Sequence, residues 1–149
     1  MEHMNMNKYD KIKLENQICF PLYALSREVI KLYKPILDKY DLTYTQYITM
    51  LVMWEEEQII FKELGKRLHL DSGTLTPVVK RLEAMGLVTK YRNKEDDRVV
   101  TVELTEKGKL LKEDILEVPD ELYCKFKGDD EKLIALKKQL DELMGLIEE

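Results

Sequence analysis

The stretch from Phe61 to Thr105 constrains this chain more than any other. Phe61-Lys-Glu-Leu-Gly-Lys-Arg-Leu68 reads as a short helical stretch. A turn follows, then Asp71-Ser-Gly-Thr-Leu-Thr-Pro-Val-Val-Lys-Arg-Leu-Glu-Ala-Met85, a second helix with Asp71 as its cap and Gly86 as its stop. Two β-rich runs, Leu87 to Arg92 and Val99 to Leu104, bracket the charged loop Asn93-Lys-Glu-Asp-Asp-Arg98.

Helix, turn, helix, hairpin is the order of a winged helix-turn-helix. The expected fold class is therefore mainly α with a small β-wing. Such a unit offers one helix to the major groove of DNA and a charged loop tip to the minor groove. A helical wheel buries Leu75, Val78, Val79 and Leu82 together and leaves Gly73, Thr76, Pro77, Lys80 and Arg81 outward. Small residues near the helix start let the backbone approach phosphates and base edges. The candidate DNA-contacting set is Ser72, Gly73, Thr74, Thr76, Pro77, Lys80, Arg81, Arg92, Asp97 and Arg98. In the wing, a nearby carboxylate would hold the Arg98 fork for a narrow minor groove. An ordinary solvated basic face is the competing reading of the helix taken alone.

The net charge of −5 alone argues against a polyanionic partner, but its distribution argues otherwise. Residues 61–100 hold nine Lys/Arg against six Asp/Glu, a local +3, which leaves −8 for the rest. Only the touching face must match phosphate.

The flanks are helical. Leu22, Leu25, Val29, Leu32 and Ile36 recur at spacings of three and four between Cys19 and Lys39. Pro21 suits the first turn of that helix, and Pro35 should kink or weaken it. A helix over Thr45 to Trp54 follows the turn Tyr40-Asp-Leu-Thr-Tyr44, and Glu55-Glu-Glu-Gln58 reads as a polar connection. Thr105 should cap a further helix running towards Glu117 and bending at Pro119, with Gly128-Asp-Asp130 as a turn. Leu133, Leu136, Leu140, Leu143 and Ile147 form a second stripe. So small a reading head cannot cover both terminal stripes, so they are expected to pair with another subunit; packing within one chain is the alternative. The expected organisation is a single domain over 1–149, with dimerisation helices at 13–40 and 106–149 and the DNA-binding module at 45–105.

No apolar run approaches a membrane span, and the N-terminus lacks a basic segment before an apolar one, so a cytoplasmic protein with no membrane association is expected. The two cysteines are then reduced thiols. His3 and His69 are too scattered to form a metal site with them, and neither metal nor cofactor is expected.

Leu70-Asp-Ser-Gly-Thr-Leu-Thr-Pro-Val-Val-Lys-Arg-Leu-Glu-Ala-Met-Gly-Leu87, Asp-Asp-Arg98 and Leu-Thr-Glu-Lys-Gly108 together resemble the MarR family of dimeric winged-helix regulators. Leu14-Glu-Asn-Gln-Ile-Cys-Phe20, Leu22-Tyr23, Tyr33-Lys-Pro-Ile-Leu-Asp38 and Leu42-Thr-Tyr-Thr-Gln-Tyr47 look like its organic-hydroperoxide-sensing branch, called OhrR. That resemblance implies a homodimeric repressor, not an enzyme, that leaves its operator once Cys19 is oxidised.

Cys19 lies near the start of a helix, whose unsatisfied N–H groups favour the thiolate that attacks peroxide. Tyr23 is four residues on, along the same face. The resemblance implies that Tyr33 and Tyr44, from this subunit and its partner, hydrogen-bond the sulfur. It also implies a resolving thiol where Cys124 stands, after Pro119, which would trap the sulfenic acid of the other subunit. An inert thiol at Cys19 and an incidental one at Cys124 are the bland readings. Two further functions compete: release by a small aromatic ligand at the dimer interface, and a thiol peroxidase. No reductant-docking motif supports the second.

Overall fold

The computed structural model describes residues 7–126 and 130–148. The expected turn at Gly128 and Asp129 lies outside them, as does His3. Two short 310 turns, Asp10–Ile12 and Leu14–Asn16, lead into helix α1, Cys19–Leu37. α1 carries Pro21 in its first turn and runs two residues past Pro35, then tightens into a 310 turn over Asp38–Tyr40. Position 35 is so near the C-terminus that its missing N–H costs the helix one late hydrogen bond, and the helix is not broken there. Asp41, in the left-handed region at φ 56°, reverses the chain.

α2, Tyr44–Glu56, is fixed by a reciprocal cap: the Gln46 N–H donates to the Thr43 hydroxyl, and the Thr43 N–H donates to the Gln46 side chain. The segment read as a polar connection behaves differently. α2 extends through Glu56, and Glu57 turns the chain at φ 60° into strand β1, Gln58–Ile60. β1 pairs antiparallel with β3, Val100–Leu104, which pairs on its other edge with β2, Val88–Arg92. The sheet order is β1-β3-β2, with Ile59 opposite Val102 and Tyr91 opposite Thr101.

Between β1 and β2 stand α3, Phe61–Leu68, and α4, Ser72–Ala84. Leu64 of α3, Leu75, Val79 and Leu82 of α4, Met50 and Met53 of α2, and Val102 of β3 are all fully buried. Each such side chain contributes roughly 1.5–3 kcal/mol of burial, so the two helices are locked to the sheet and to α2. Gly86, at φ 76°, ends α4: the Leu87 N–H reaches back to the Leu82 carbonyl at 3.0 Å, a turn that needs a residue without Cβ.

After the wing come α5, Glu106–Asp114, α6, Glu117–Lys125, and α7, Asp130–Glu148. The expected bend at Pro119 is displaced. The break falls at Ile115 and Leu116, and Pro119 sits in the first turn of α6, where its missing N–H is harmless. Trp54 ties this region to the core, its indole N–H donating to the Gly108 carbonyl at 2.8 Å.

Large exposed apolar side chains are unevenly spread. Twenty are exposed among the described residues, and only Leu51, Ile60 and Tyr91 belong to the segment 45–105. The α1 stripe grades from exposed at Leu22 and Leu25 to buried at Ile36. On α7, Leu136 and Ile147 remain exposed and no residue is fully buried. None of the described helices is long and apolar enough to cross a membrane.

Candidate nucleic-acid interface and thiol site

α4 begins at a side-chain cap. The Asp71 carboxylate accepts the Thr74 N–H at 2.7 Å, and that bond holds its carboxyl below the usual carboxylate range. Ser72, Gly73, Thr74, Thr76, Pro77, Lys80 and Arg81 are all exposed, on the side away from Leu75, Val79 and Leu82. Pro77 gives no N–H to the Gly73 carbonyl four residues earlier, and the Thr76 hydroxyl donates to the Ser72 carbonyl at 2.6 Å. The far end of α4 is held from outside. Lys107 Nζ donates to the Met85 carbonyl at 2.7 Å, and the Thr105 hydroxyl donates to the Gly86 carbonyl at 2.6 Å. The outward face of α4 is therefore a rigid surface with small residues first and two cations after them.

The wing tip is ordered by its own charges. Arg92 donates to the Asp97 backbone carbonyl at 2.8 Å, so Asp97 acts through its main chain there. The carboxylate that grips Arg98 is Asp96, with Nε to Oδ1 at 3.0 Å and Nη2 to Oδ2 at 3.2 Å. Sequence reasoning left Asp96 out of the site; the run of three carboxylates gave no means of choosing among them. The Arg98 guanidinium holds the Asp96 carboxyl below its usual range. The Arg98 side chain is itself 90% exposed, a fork aimed at solvent and steadied from behind.

The thiol residues divide between two places. Cys19 is the first residue of α1 and is exposed. Tyr23, also exposed, accepts a hydrogen bond from Arg27 at 3.1 Å, with the guanidinium 5.6 Å from its ring. Tyr33 and Tyr44 lie elsewhere. Their ring centroids are 4.8 Å apart, and Tyr47 completes a trio at 5.7 Å from Tyr33 and 6.5 Å from Tyr44. Burial is the first cause that raises all three hydroxyls above the ordinary tyrosine value. Tyr47 was not foreseen, although Tyr44-x-x-Tyr47 places both on one helical face. The trio edges a largely apolar cleft of about 740 Å³ between α2, α6 and α7, where Tyr123 and Phe126 also stand. Cys124, exposed on α6, directly follows Tyr123.

Cys19 and Tyr33 are fourteen residues apart on one helix, about 21 Å along its axis at ~1.5 Å per residue. α6 packs at the far end of α1, where Lys39 Nζ meets Glu121 Oε1 at 2.9 Å. The structure thus brings Tyr33 and Tyr44 together as a pair on one chain, with Cys124 on their side. It does not bring Cys19 to any of them.

Residues 31–115 match the family model described as transcriptional regulator SarA/Rot. The chain is 50% identical over 138 residues to the organic hydroperoxide resistance transcriptional regulator of Bacillus subtilis, covering 93% of this chain and 94% of that one. It resembles the solved structure of reduced AbfR bound to DNA at 33% identity and a TM-score of 0.77, covering 95% of this chain and 99% of that one. It also resembles disulfide-formed AbfR at 32% identity and a TM-score of 0.64, covering 92% and 96%. AbfR comes from Staphylococcus epidermidis. With a helix-turn-helix and hairpin wing built as described and relatives of this similarity, the chain belongs to the SarA/Rot family of MarR-like winged-helix transcriptional regulators, and within it is OhrR-like.

Proposed function

We propose that this chain is a homodimeric, redox-controlled repressor that leaves its operator when an organic hydroperoxide oxidises Cys19 and Cys124 of the partner subunit captures the product. The observation that carries this reading is the separation of about 21 Å along α1 between Cys19 and the tyrosine pair. A second copy docked antiparallel along α1 would set its Tyr33, Tyr44 and Cys124 beside Cys19. The exposed apolar residues at Ile18, Leu22, Leu25, Leu136 and Ile147 are the surface such a copy would cover. Segments 13–40 and 106–149 would then be the dimerisation helices and 45–105 the DNA-binding module of a single-domain subunit.

The chemistry balances in two steps. The Cys19 sulfur attacks the terminal peroxide oxygen, the O–O bond breaks, and a proton passes to the departing alkoxide, leaving an alcohol and a sulfenic acid. The Cys124 thiol then attacks that sulfur, and water leaves as the disulfide forms. Phenol donors at Tyr33 and Tyr44 would steady the charged sulfur while their rings keep the pocket apolar for an organic peroxide. On the DNA side, Ser72, Gly73, Thr74, Thr76, Pro77, Lys80 and Arg81 would meet the major groove, and Arg92, Asp97 and Arg98 the minor groove and its backbone. A relative named as an organic hydroperoxide resistance regulator, and an AbfR solved both on DNA and in a disulfide form, support the reading.

The apolar cleft beside Tyr33, Tyr44 and Tyr47 favours one second reading, a small aromatic effector acting without thiol chemistry. Fluorescence anisotropy on the promoter of its own gene separates them. Cumene hydroperoxide should release the wild type and not Cys19→Ser; release of both proteins, or of neither, contradicts the redox reading.

A further inference from the structure

α5 and α6 meet at a break crossed by the Val118 N–H, which donates to the Ile115 carbonyl at 3.0 Å, and α6 starts after Leu116, which makes no side-chain cap bond. Side-chain ties across it come from the 310 turn at the end of α1. The Tyr40 hydroxyl shares its proton between the Asp114 carbonyl at 2.9 Å and Glu117 Oε1 at 2.5 Å. Its neighbour Lys39 donates to both oxygens of Glu121, at 2.9 and 3.1 Å. Residues 39 and 40 therefore hold the last residue of α5 and the first two turns of α6. Ile115, Val118 and Leu122 are buried beneath them, so α6 lies inner face down with Cys124 in its final stretch.

We infer that Tyr40 is a positioning residue for the thiol chemistry: by bridging Asp114 and Glu117 it sets the angle at which α6 leaves α5, and so places Cys124 for attack on the partner's oxidised Cys19. This rests on the two-cysteine reading above. The lever arm makes the angle matter. Cys124 is seven residues beyond Glu117, about 10 Å along the helix, so a tilt of about 10° at the break moves it by about 2 Å. That is close to the whole width of the Cα–Cα window of roughly 4.4–6.8 Å that a disulfide accepts. The apolar contacts under α6 resist its lifting off, but they are not directional; the bonds from Tyr40 and Lys39 are, and only those of Tyr40 tie α6 to the last residue of α5. The Glu117 bond also pushes the Tyr40 hydroxyl up to about 12, so it remains a donor across the pH range in which thiol oxidation is measured.

The test separates the two chemical steps in the full-length reduced protein mixed with cumene hydroperoxide. A cyclic 1,3-diketone probe read by mass spectrometry follows sulfenic acid at Cys19, and a non-reducing gel follows the covalent dimer. Tyr40→Phe keeps the ring and should match wild type in operator affinity and in sulfenic acid formation, while its covalent dimer forms on the order of ten-fold more slowly. Glu117→Ala should slow the same step with Tyr40 in place, and Glu117→Gln, which keeps an oxygen acceptor, should restore it towards wild type. Covalent dimer formation at the wild-type rate in both Tyr40→Phe and Glu117→Ala overturns the inference. So does an equal loss of sulfenic acid formation, which would mark a general structural defect. A wild type that forms sulfenic acid but no covalent dimer would instead remove the two-cysteine reading, and this inference with it.

Discussion

The Tyr33 and Tyr44 rings meet with their centroids 4.8 Å apart at an interplanar angle of 43°, joining the last turns of α1 to the first turn of α2. With Tyr47 behind them they form a phenol cluster whose hydroxyls burial raises above the ordinary value near 10. Tyr40 shifts the same way, chiefly through Glu117. The folded protein therefore keeps protons that the unfolded chain loses above about pH 10, and its stability falls as pH rises from there through the folded values. Tyrosinate absorbance and far-UV circular dichroism, followed together, should show these groups ionising only as helix is lost. Reversible ionisation of all of them near pH 10 with the helical signal intact would contradict the clustering.

Tyr33→Phe and Tyr44→Phe should each bind operator like wild type and respond to peroxide more slowly, because each keeps the ring and removes one of the donors proposed for the Cys19 sulfur. Single-turnover oxidation under limiting cumene hydroperoxide reads this. Wild-type rates in both variants would remove the pair from the sensing chemistry.

The DNA module was legible because its signals are local. Asp71, Gly86 and the β-rich run from Val99 to Leu104 mark their elements within a few residues. β1 was not, since three residues become a strand only by pairing with β3 across some forty residues of chain. The break at Ile115 and Leu116 was missed for a similar reason: Pro119 is visible locally, but Tyr40, which bridges the break, is some seventy-five residues away in sequence. At the wing the arginine was evident, but the choice of Asp96 over Asp97 depended on the loop's backbone path. The thiol residues could be named individually, but their distance from one another follows from α1 running unbroken through Tyr33.

At the wing, Arg98→Ala should weaken operator binding strongly while leaving the melting temperature unchanged, because the side chain is exposed and its Asp96 pairing contributes little in water. Lys80→Ala should lower affinity evenly across sequences and reduce the log–log salt slope by about one. Anisotropy titrations at several salt concentrations measure both. Wild-type affinity in Arg98→Ala would refute the wing assignment.

Gly108 is packed without room for a side chain. A Cβ there would collide with the Leu87 carbonyl oxygen and with Leu104 Cδ1, and the Trp54 indole bonds to the Gly108 carbonyl. Gly108→Ala should cost about 1–3 kcal/mol by overpacking, read as a lower denaturation midpoint with an unchanged slope. A stability equal to wild type would mean that α5 packs less closely on the wing than described.

Whether the thiol chemistry is completed between two chains is read by co-refolding Cys19→Ser with Cys124→Ser. A mixed dimer carries one intact Cys19 and one intact Cys124 on different subunits, whereas neither single-variant dimer can pair Cys19 with Cys124. After cumene hydroperoxide, a non-reducing gel should show a covalent dimer in the mixture and none in either variant alone. A mixture that stays monomeric, beside a wild type that forms its disulfide within one chain, would contradict the account.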